Sequence, residues 1–124
     1  SSSSAASDVY KRQVSAVYNN RLRLGRHLEA DPTVQYAQGF WNPRLFYSDY
    51  RETDSPYNTY LHKGLPPGPI CNPGLEAIRA GLWPADSSVL YMLSKGDGTH
   101  DFSRTYREHV NKVNRRNRER AQNQ

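Results

Sequence analysis

The segment GLPPGP, Gly64–Pro69, constrains the fold more than any other part of this 124-residue sequence. It contains three prolines and two glycines. Because proline supplies no backbone N–H, the segment is incompatible with a helix interior or a central strand. We expect a rigid, extended segment close to polyproline II. Such a segment can form one wall of a cleft or a rigid connector under the domain, and both interpretations are open.

The composition indicates a small domain with a lean core. Hydrophobic residues make up 35% of the chain, below the usual 45–50% or so. No apolar run approaches the roughly 18 residues that span a bilayer. The single Cys71 excludes an internal disulfide framework and a cysteine-rich zinc site.

The positive charge is concentrated at the C-terminus. Residues 104–124 hold seven basic and two acidic residues, which equals the net charge of +5 of the whole chain. A basic tail can bind nucleic acid or an anionic polymer, or it can be the solvated end of a helix. Since no helix-turn-helix or RNA-binding signature accompanies it, we expect no nucleic-acid partner.

The N-terminal half combines one clear helix with irregular segments. Apolar spacing predicts a helix over Val14–Leu24, which Gly25 ends by adopting a left-handed conformation. Asp31 precedes a proline and is therefore expected to be extended. Thr33–Tyr36 is interpreted as a short strand or turn. Residues 38–56 show no period and are expected to form a loop with at most a short helical turn.

The next segments are predicted as a strand and a helix. Tyr57–Leu61 is interpreted as a strand. Asn72 is a favourable N-cap, and Pro73 suits the first helical position. The helix that follows places its apolar residues on one face: Leu75, Ile78 and Leu82.

The C-terminal segment predicts a hairpin followed by a helix. Val89–Leu93 is a continuous apolar run typical of a buried strand, and His100–Phe102 is predicted to return beside it. Ser103 is expected to cap a last helix that frays beyond Asn114. The fold is therefore predicted to be α+β, with about three helices around a small sheet.

The first 13 residues differ in character from the rest. SSSSAAS is of low complexity, and DVYKRQ resembles the translation of a sequencing-library adapter. We therefore interpret residues 1–13 as a non-native or disordered leader; the alternative is a genuine short basic lead-in.

Several segments resemble the MltG-like (YceG-like) endolytic murein transglycosylases, in the order and at about the spacing of that family. The segments are VSAVYNNRLRLG (Val14–Gly25), LEADPTVQY (Leu28–Tyr36), DSPYNTYLHKGLPPGPICNPG (Asp54–Gly74), LWPADSSVLYML (Leu82–Leu93) and GDGTHDFS (Gly96–Ser103). The resemblance implies that residues 14–113 are the C-terminal part of the family's catalytic domain, an incomplete fragment of it, followed by a basic tail over residues 114–124.

The resemblance also implies an activity and a location. Members of the family are bacterial enzymes that cut peptidoglycan between N-acetylmuramic acid and N-acetylglucosamine and leave 1,6-anhydro-muramic acid ends. This is a lyase-type transfer that needs no metal and no organic cofactor. The parent protein is expected to be anchored in the inner (cell) membrane by a helix absent from this chain, with its catalytic domain outside the cytoplasm, in the periplasm.

The family's general acid is a glutamate in a helix that precedes the segment matched by Val14–Gly25. The chain has no segment that resembles it, so no catalytic residue is assigned here and the chain itself is expected to be inactive. Glu29 and Asp31 are the only substitutes that the sequence offers. A catalytically inert glycan-binding fragment is the alternative to an active transglycosylase.

The matched motifs supply seven candidate substrate-binding residues, which are Asp31, Thr33, Tyr57, Asn58, Thr59, His100 and Ser103. Asp31 can bind a sugar hydroxyl or orient the catalytic acid, or it can simply bond the backbone of a turn. The residues around Asn58 can line a sugar groove or form a structural strand. His100 and Ser103 can reach a cleft or be structural.

Overall fold

The computed structural model describes residues 2–40, 42–96 and 98–123, with side chains from Asp8 onward. These residues form five helices and a two-stranded sheet, which confirms the α+β class with two helices more than predicted. The helices are α1 (Ser2–Arg23), α2 (Asp31–Gln38), α3 (Tyr47–Glu52), α4 (Leu75–Leu82) and α5 (Tyr106–Gln122), and the strands are β1 (Tyr91–Ser94) and β2 (His100–Ser103). Contacts divide the chain into two units: Ser1–Asn20 with Gly74–Gln124, and Arg21–Pro73.

The first helix begins earlier than the predicted Val14. Residues before Val14 also make tertiary contacts: the Arg12 carbonyl accepts a hydrogen bond from the Ala85 amide at 3.0 Å, and the Tyr10 ring lies 6.2 Å from that of Phe102. These contacts favour a helix where composition alone indicated none. The non-native origin of residues 1–13 stays a prediction.

The first unit is built on the predicted hairpin. Strands β1 and β2 pair antiparallel, with Tyr91 opposite Ser103 and Ser94 opposite His100. Gly96 and Gly98 both have positive φ in the connecting turn, whose Asp97 lies outside the described residues. The core beside the hairpin is small, with Ala16, Val17 and Val89 buried and with Ala85, Met92 and Phe102 packed against them.

Helix α5 begins and ends later than predicted. Thr105 rather than Ser103 is its N-cap, and the Thr105 hydroxyl accepts the Glu108 amide at 3.2 Å. Ser103 instead ends β2. We predicted fraying beyond Asn114, whereas the helix continues to Gln122.

The start of α4 differs from the prediction. The N-cap is Gly74, with no side-chain hydrogen bond, so Asn72 is not the cap. Ala80 is buried, but Leu75, Ile78 and Leu82 are 64%, 46% and 66% exposed. The apolar face of α4 is therefore on the surface of the residues that the structure describes.

In the second unit, the predictions for Thr33–Tyr36 and for Asp31 were wrong, because both lie in helix α2. Pro32 occupies the first turn, where a missing N–H costs no helical hydrogen bond. Gly39 ends the helix with φ of 75°.

Tyr57–Leu61 is not a strand but a series of turns. The Asn58 amide donates to Ser55 O, and the Leu61 and His62 amides both donate to Asn58 O. The backbone is therefore folded tightly around Asn58.

Helix α3 is the short helical turn that was expected within residues 38–56.

Among the residues that the structure describes, no helix is both long enough and apolar enough to cross a membrane.

Candidate functional site

Asp31 lies at the centre of a cluster with two tyrosines in the second unit. The Tyr60 hydroxyl donates to Oδ1 of Asp31 at 2.5 Å, and the Tyr50 hydroxyl donates to Oδ2 at 3.3 Å. The two tyrosine rings lie 4.3 Å apart between centroids, tilted by 37°. We call this set, Asp31, Tyr50 and Tyr60, the carboxylate–tyrosine cluster.

The secondary structure places the Asp31 carboxylate where its charge is favourable. Asp31 is the first residue of α2, and the positive end of a helix dipole stabilises a nearby anion. Asp31 itself is exposed, whereas both tyrosines are half-buried. A ligand can therefore reach a charged acceptor beside two aromatic rings.

The environment keeps both phenols neutral. Burial raises the pKa of Tyr60 above its ordinary value of 10.0. The hydrogen bond to Asp31 and the negative charge of Asp31 raise this pKa further. Burial and Asp31 also raise the pKa of Tyr50. Since a neutral phenol is a hydrogen-bond donor, both tyrosines remain donors to Asp31 throughout the physiological pH range.

The side chain of Asn58 supports the backbone of the two tyrosines. This side chain is 0% exposed, and Nδ2 donates to Tyr50 O and to Thr53 O, each at 2.9 Å. Its Oδ1 accepts the Tyr60 amide at 2.9 Å. One amide side chain therefore fixes the backbone of both tyrosines of the cluster.

Two threonines connect the turn around Asn58 to the start of α2 by hydrogen bonds. The Thr33 hydroxyl donates to Ala30 O at 2.7 Å and lies 2.8 Å from the Thr59 hydroxyl. The Thr59 hydroxyl accepts the Ala30 amide at 2.9 Å. These buried contacts set the position of Asp31 relative to residues 58–60.

The seven predicted site residues fall into two groups. Asp31, Thr33, Asn58 and Thr59 come together in the second unit, but the last three are buried and act as supports of the cluster. Tyr57 is half-buried, with its ring 4.9 Å from that of Tyr36. Whether these residues bind substrate stays a prediction.

His100 and Ser103 lie in the first unit. The Tyr10 hydroxyl is in hydrogen-bonding contact with Nδ1 of His100. Ser103 is buried, and its carbonyl accepts the Leu90 amide at 2.9 Å. Both residues therefore have structural contacts in β2, and a substrate-binding role for them remains a prediction.

The sequence-based set omitted Tyr50 and Tyr60. Tyr60 belongs to the matched YNTY segment, whose residues were interpreted either as lining a sugar groove or as a structural strand. Tyr50 lies in the aperiodic aromatic segment 38–56, where no spacing marks it. Only the fold shows that it faces Asp31.

The described residues contain no group of three or more His, Cys, Asp or Glu side chains placed to hold a metal ion. Cys71 is a free, exposed thiol.

The α+β fold is that of one protein family. The model of the YceG-like family matches residues 4–115, and the chain belongs to this family. The crystal structure of a YceG-like protein from Listeria monocytogenes is similar to this chain, with a TM-score of 0.75 and 43% sequence identity. The similarity covers 81% of this chain and 32% of the Listeria chain.

Curated relatives carry the name endolytic murein transglycosylase. The Bacillus subtilis protein of that name is 43% identical over 99 residues, which cover 80% of this chain and 27% of the relative. The protein from Streptococcus pneumoniae strain D39 is 29% identical over 113 residues, covering 82% of this chain and 20% of the relative. The chain thus spans about a quarter or less of the length of these relatives.

Proposed function

We propose that the chain is part of an endolytic murein transglycosylase, in which it contributes a surface that binds the glycan strand. The names of the relatives from Bacillus subtilis and Streptococcus pneumoniae support the activity of the whole protein. We also propose that the whole protein is anchored in the bacterial inner membrane and works in the periplasm, as the family resemblance implies.

The carboxylate–tyrosine cluster is the observation that carries the glycan-binding role. Sugars present hydroxyl groups at their edges and apolar C–H groups on their faces. The exposed Asp31 carboxylate can accept a hydroxyl hydrogen bond, and the tilted rings of Tyr50 and Tyr60 offer an apolar surface beside it. The buried support from Asn58 pre-organises this surface before the glycan binds.

The chemistry of the reaction needs one acid. A glutamic acid protonates the glycosidic oxygen as the C1–O bond breaks. As glutamate, it then accepts the proton of the muramic 6-hydroxyl while that oxygen bonds to C1. The resemblance places this glutamate before the segment matched by Val14–Gly25, so the proposal assigns the acid to a part of the protein that these 124 residues do not include.

Asp31 is a poor replacement for that acid. Both of its oxygens accept hydrogen bonds from phenols, which is the role of an ionised carboxylate and leaves no proton directed at a ligand. Glu29 is exposed, so nothing in its surroundings excludes water. We therefore propose that this chain binds glycan and does not cleave it.

The test is to incubate the purified chain with uncrosslinked glycan strands and to search for 1,6-anhydro ends by mass spectrometry. We expect retention of glycan without new ends. New ends that Glu29→Gln or Asp31→Asn abolishes, and that Asp54→Asn preserves, would place the catalytic acid in this segment and contradict the proposal.

A further inference from the structure

A second polar feature of the Arg21–Pro73 unit does not involve the carboxylate–tyrosine cluster. It is a cavity of about 320 Å³ at the C-terminal end of α1. The residues that line it are Arg21, Gly25, Arg26, His27, Glu29 and Lys63. A volume of this size suits a small polar group rather than a polymer segment, since ligand pockets begin at roughly 300 Å³.

The cavity is formed by the way α1 ends. Gly25 has φ of 68°, and the amides of Gly25 and Arg26 donate to Leu22 O and Arg21 O at 3.1 and 2.8 Å. This pattern is a Schellman motif, which turns the chain back beside the last turn of the helix. The residues after Gly25 are thereby brought next to Arg21.

Further hydrogen bonds fix the loop that follows. Nη1 of the buried Arg21 donates to Leu28 O at 2.6 Å. Glu29 has φ of 51°, a left-handed conformation that is uncommon for a residue with a side chain, and its amide donates to Thr59 O at 3.3 Å. The lining is therefore held by the backbone and does not depend on a ligand.

The lining is positively charged. Three permanent cations, Arg21, Arg26 and Lys63, face one carboxylate, Glu29, so the formal charge is +2 with His27 neutral. A cationic cavity of this size selects an oxyanion.

We infer that this cavity binds a carboxylate of the peptide stems that murein carries, an inference that rests on the proposed function. Guanidinium groups match the planar geometry of a carboxylate. Guanidinium groups also bind phosphate, so inorganic phosphate is the competing oxyanion against which the carboxylate is tested. The site would then distinguish peptide-bearing strands from strands without peptides.

The experiment follows the backbone amide signals of the isotopically labelled 124-residue chain by NMR. The probes are a stem tetrapeptide with free carboxylates, the same peptide with its carboxylates converted to carboxamides, and inorganic phosphate. We expect saturable shifts at Gly25, Arg26 and Lys63 with the free acid. We expect the carboxamide to bind at least about tenfold more weakly, since it loses its charge-assisted hydrogen bonds.

Three variants locate the interaction, two in the lining and one control outside it. Lys63→Gln removes an exposed cation from the lining, and we expect it to weaken binding of the free acid about tenfold. Arg44→Gln makes the same change of charge at an exposed position of the same unit outside the cavity, and we expect no effect. Arg26→Gln serves as a second lining variant, because the Arg26 amide keeps its bond to Arg21 O after the substitution.

Three results would overturn the inference: equal binding of the acid and the carboxamide, tighter binding of phosphate than of the peptide, or an equal loss in Arg44→Gln. Binding of glycan strands stripped of peptide is measured in parallel, because it reports on the proposed function alone. If stripped strands bind and the stem peptide does not, the cavity inference fails while the proposed function stands. If stripped strands do not bind, the proposed function fails.

Discussion

Asn58 is the residue whose loss should damage the second unit most. Asn58→Ala removes three side-chain hydrogen bonds, those to Tyr50 O, Thr53 O and the Tyr60 amide, each 2.9 Å long. At about 1 kcal/mol for each bond, the free energy of unfolding should fall by about 3 kcal/mol. This is a large fraction of the roughly 5–15 kcal/mol that stabilises a native domain.

Urea denaturation measures this loss directly. With a slope of roughly 1–3 kcal/mol/M, the midpoint should fall by about 1–3 M. Asn72→Ala is the matched control, because Asn72 is exposed and does not cap α4, and it should change stability by less than about 0.5 kcal/mol. A loss below about 1 kcal/mol in Asn58→Ala would refute the assignment of Asn58 as the support of the cluster.

Three further predictions concern the tail, the exposed helix face and the tyrosines. Deleting Arg115–Gln124 should move the melting temperature by less than about 5 °C, since the hydrogen bond from Arg116 to Ser94 O is exposed and 3.4 Å long; a larger drop would show that the tail is needed for the fold. We expect the exposed apolar face of α4 to make the chain self-associate. Ile78→Lys should reduce this association in sedimentation velocity, because Ile78 is 46% exposed on that face; a chain that stays monomeric, or association unchanged in the variant, would contradict this expectation. Because the native pKa of Tyr60 is raised, the unfolded chain loses the phenolic proton first, so stability should fall as pH rises above about 10. Tyr60→Phe should lessen this fall and remove a late-ionising phenol from the ultraviolet titration; an unchanged pH dependence would contradict the assignment.

The parts of the fold that were predicted correctly have strong local signals. The apolar run before Lys95 and the glycines after it gave the hairpin to within two residues, because alternating glycines leave the chain few alternatives to a turn. Gly25 was correctly predicted to end α1, since its left-handed conformation is local to one residue. The apolar spacing of Leu75, Ile78 and Leu82 correctly predicted a helix, because the helical period is a local property of the sequence.

The site was predicted less well because its geometry comes from tertiary contacts. The Asp-Pro pair favoured an extended Asp31, but the buried contacts of Thr33 and Thr59 stabilise a helix start at that position. Tyr57–Leu61 was interpreted as a strand, whereas the buried Asn58 side chain folds the segment into turns. No pattern in the sequence shows that Tyr50, 19 residues after Asp31, donates to its carboxylate.

The most direct test of glycan binding at the carboxylate–tyrosine cluster is calorimetric titration of the chain with peptide-free glycan strands. We expect saturable binding that Asp31→Asn and Tyr60→Phe each weaken by at least about fivefold, which corresponds to the loss of one hydrogen bond. Asp54→Asn and Tyr47→Phe, exposed positions of the same unit, should bind as the unmodified chain does. Equal affinity of all five proteins, or no binding by the unmodified chain, would contradict the account.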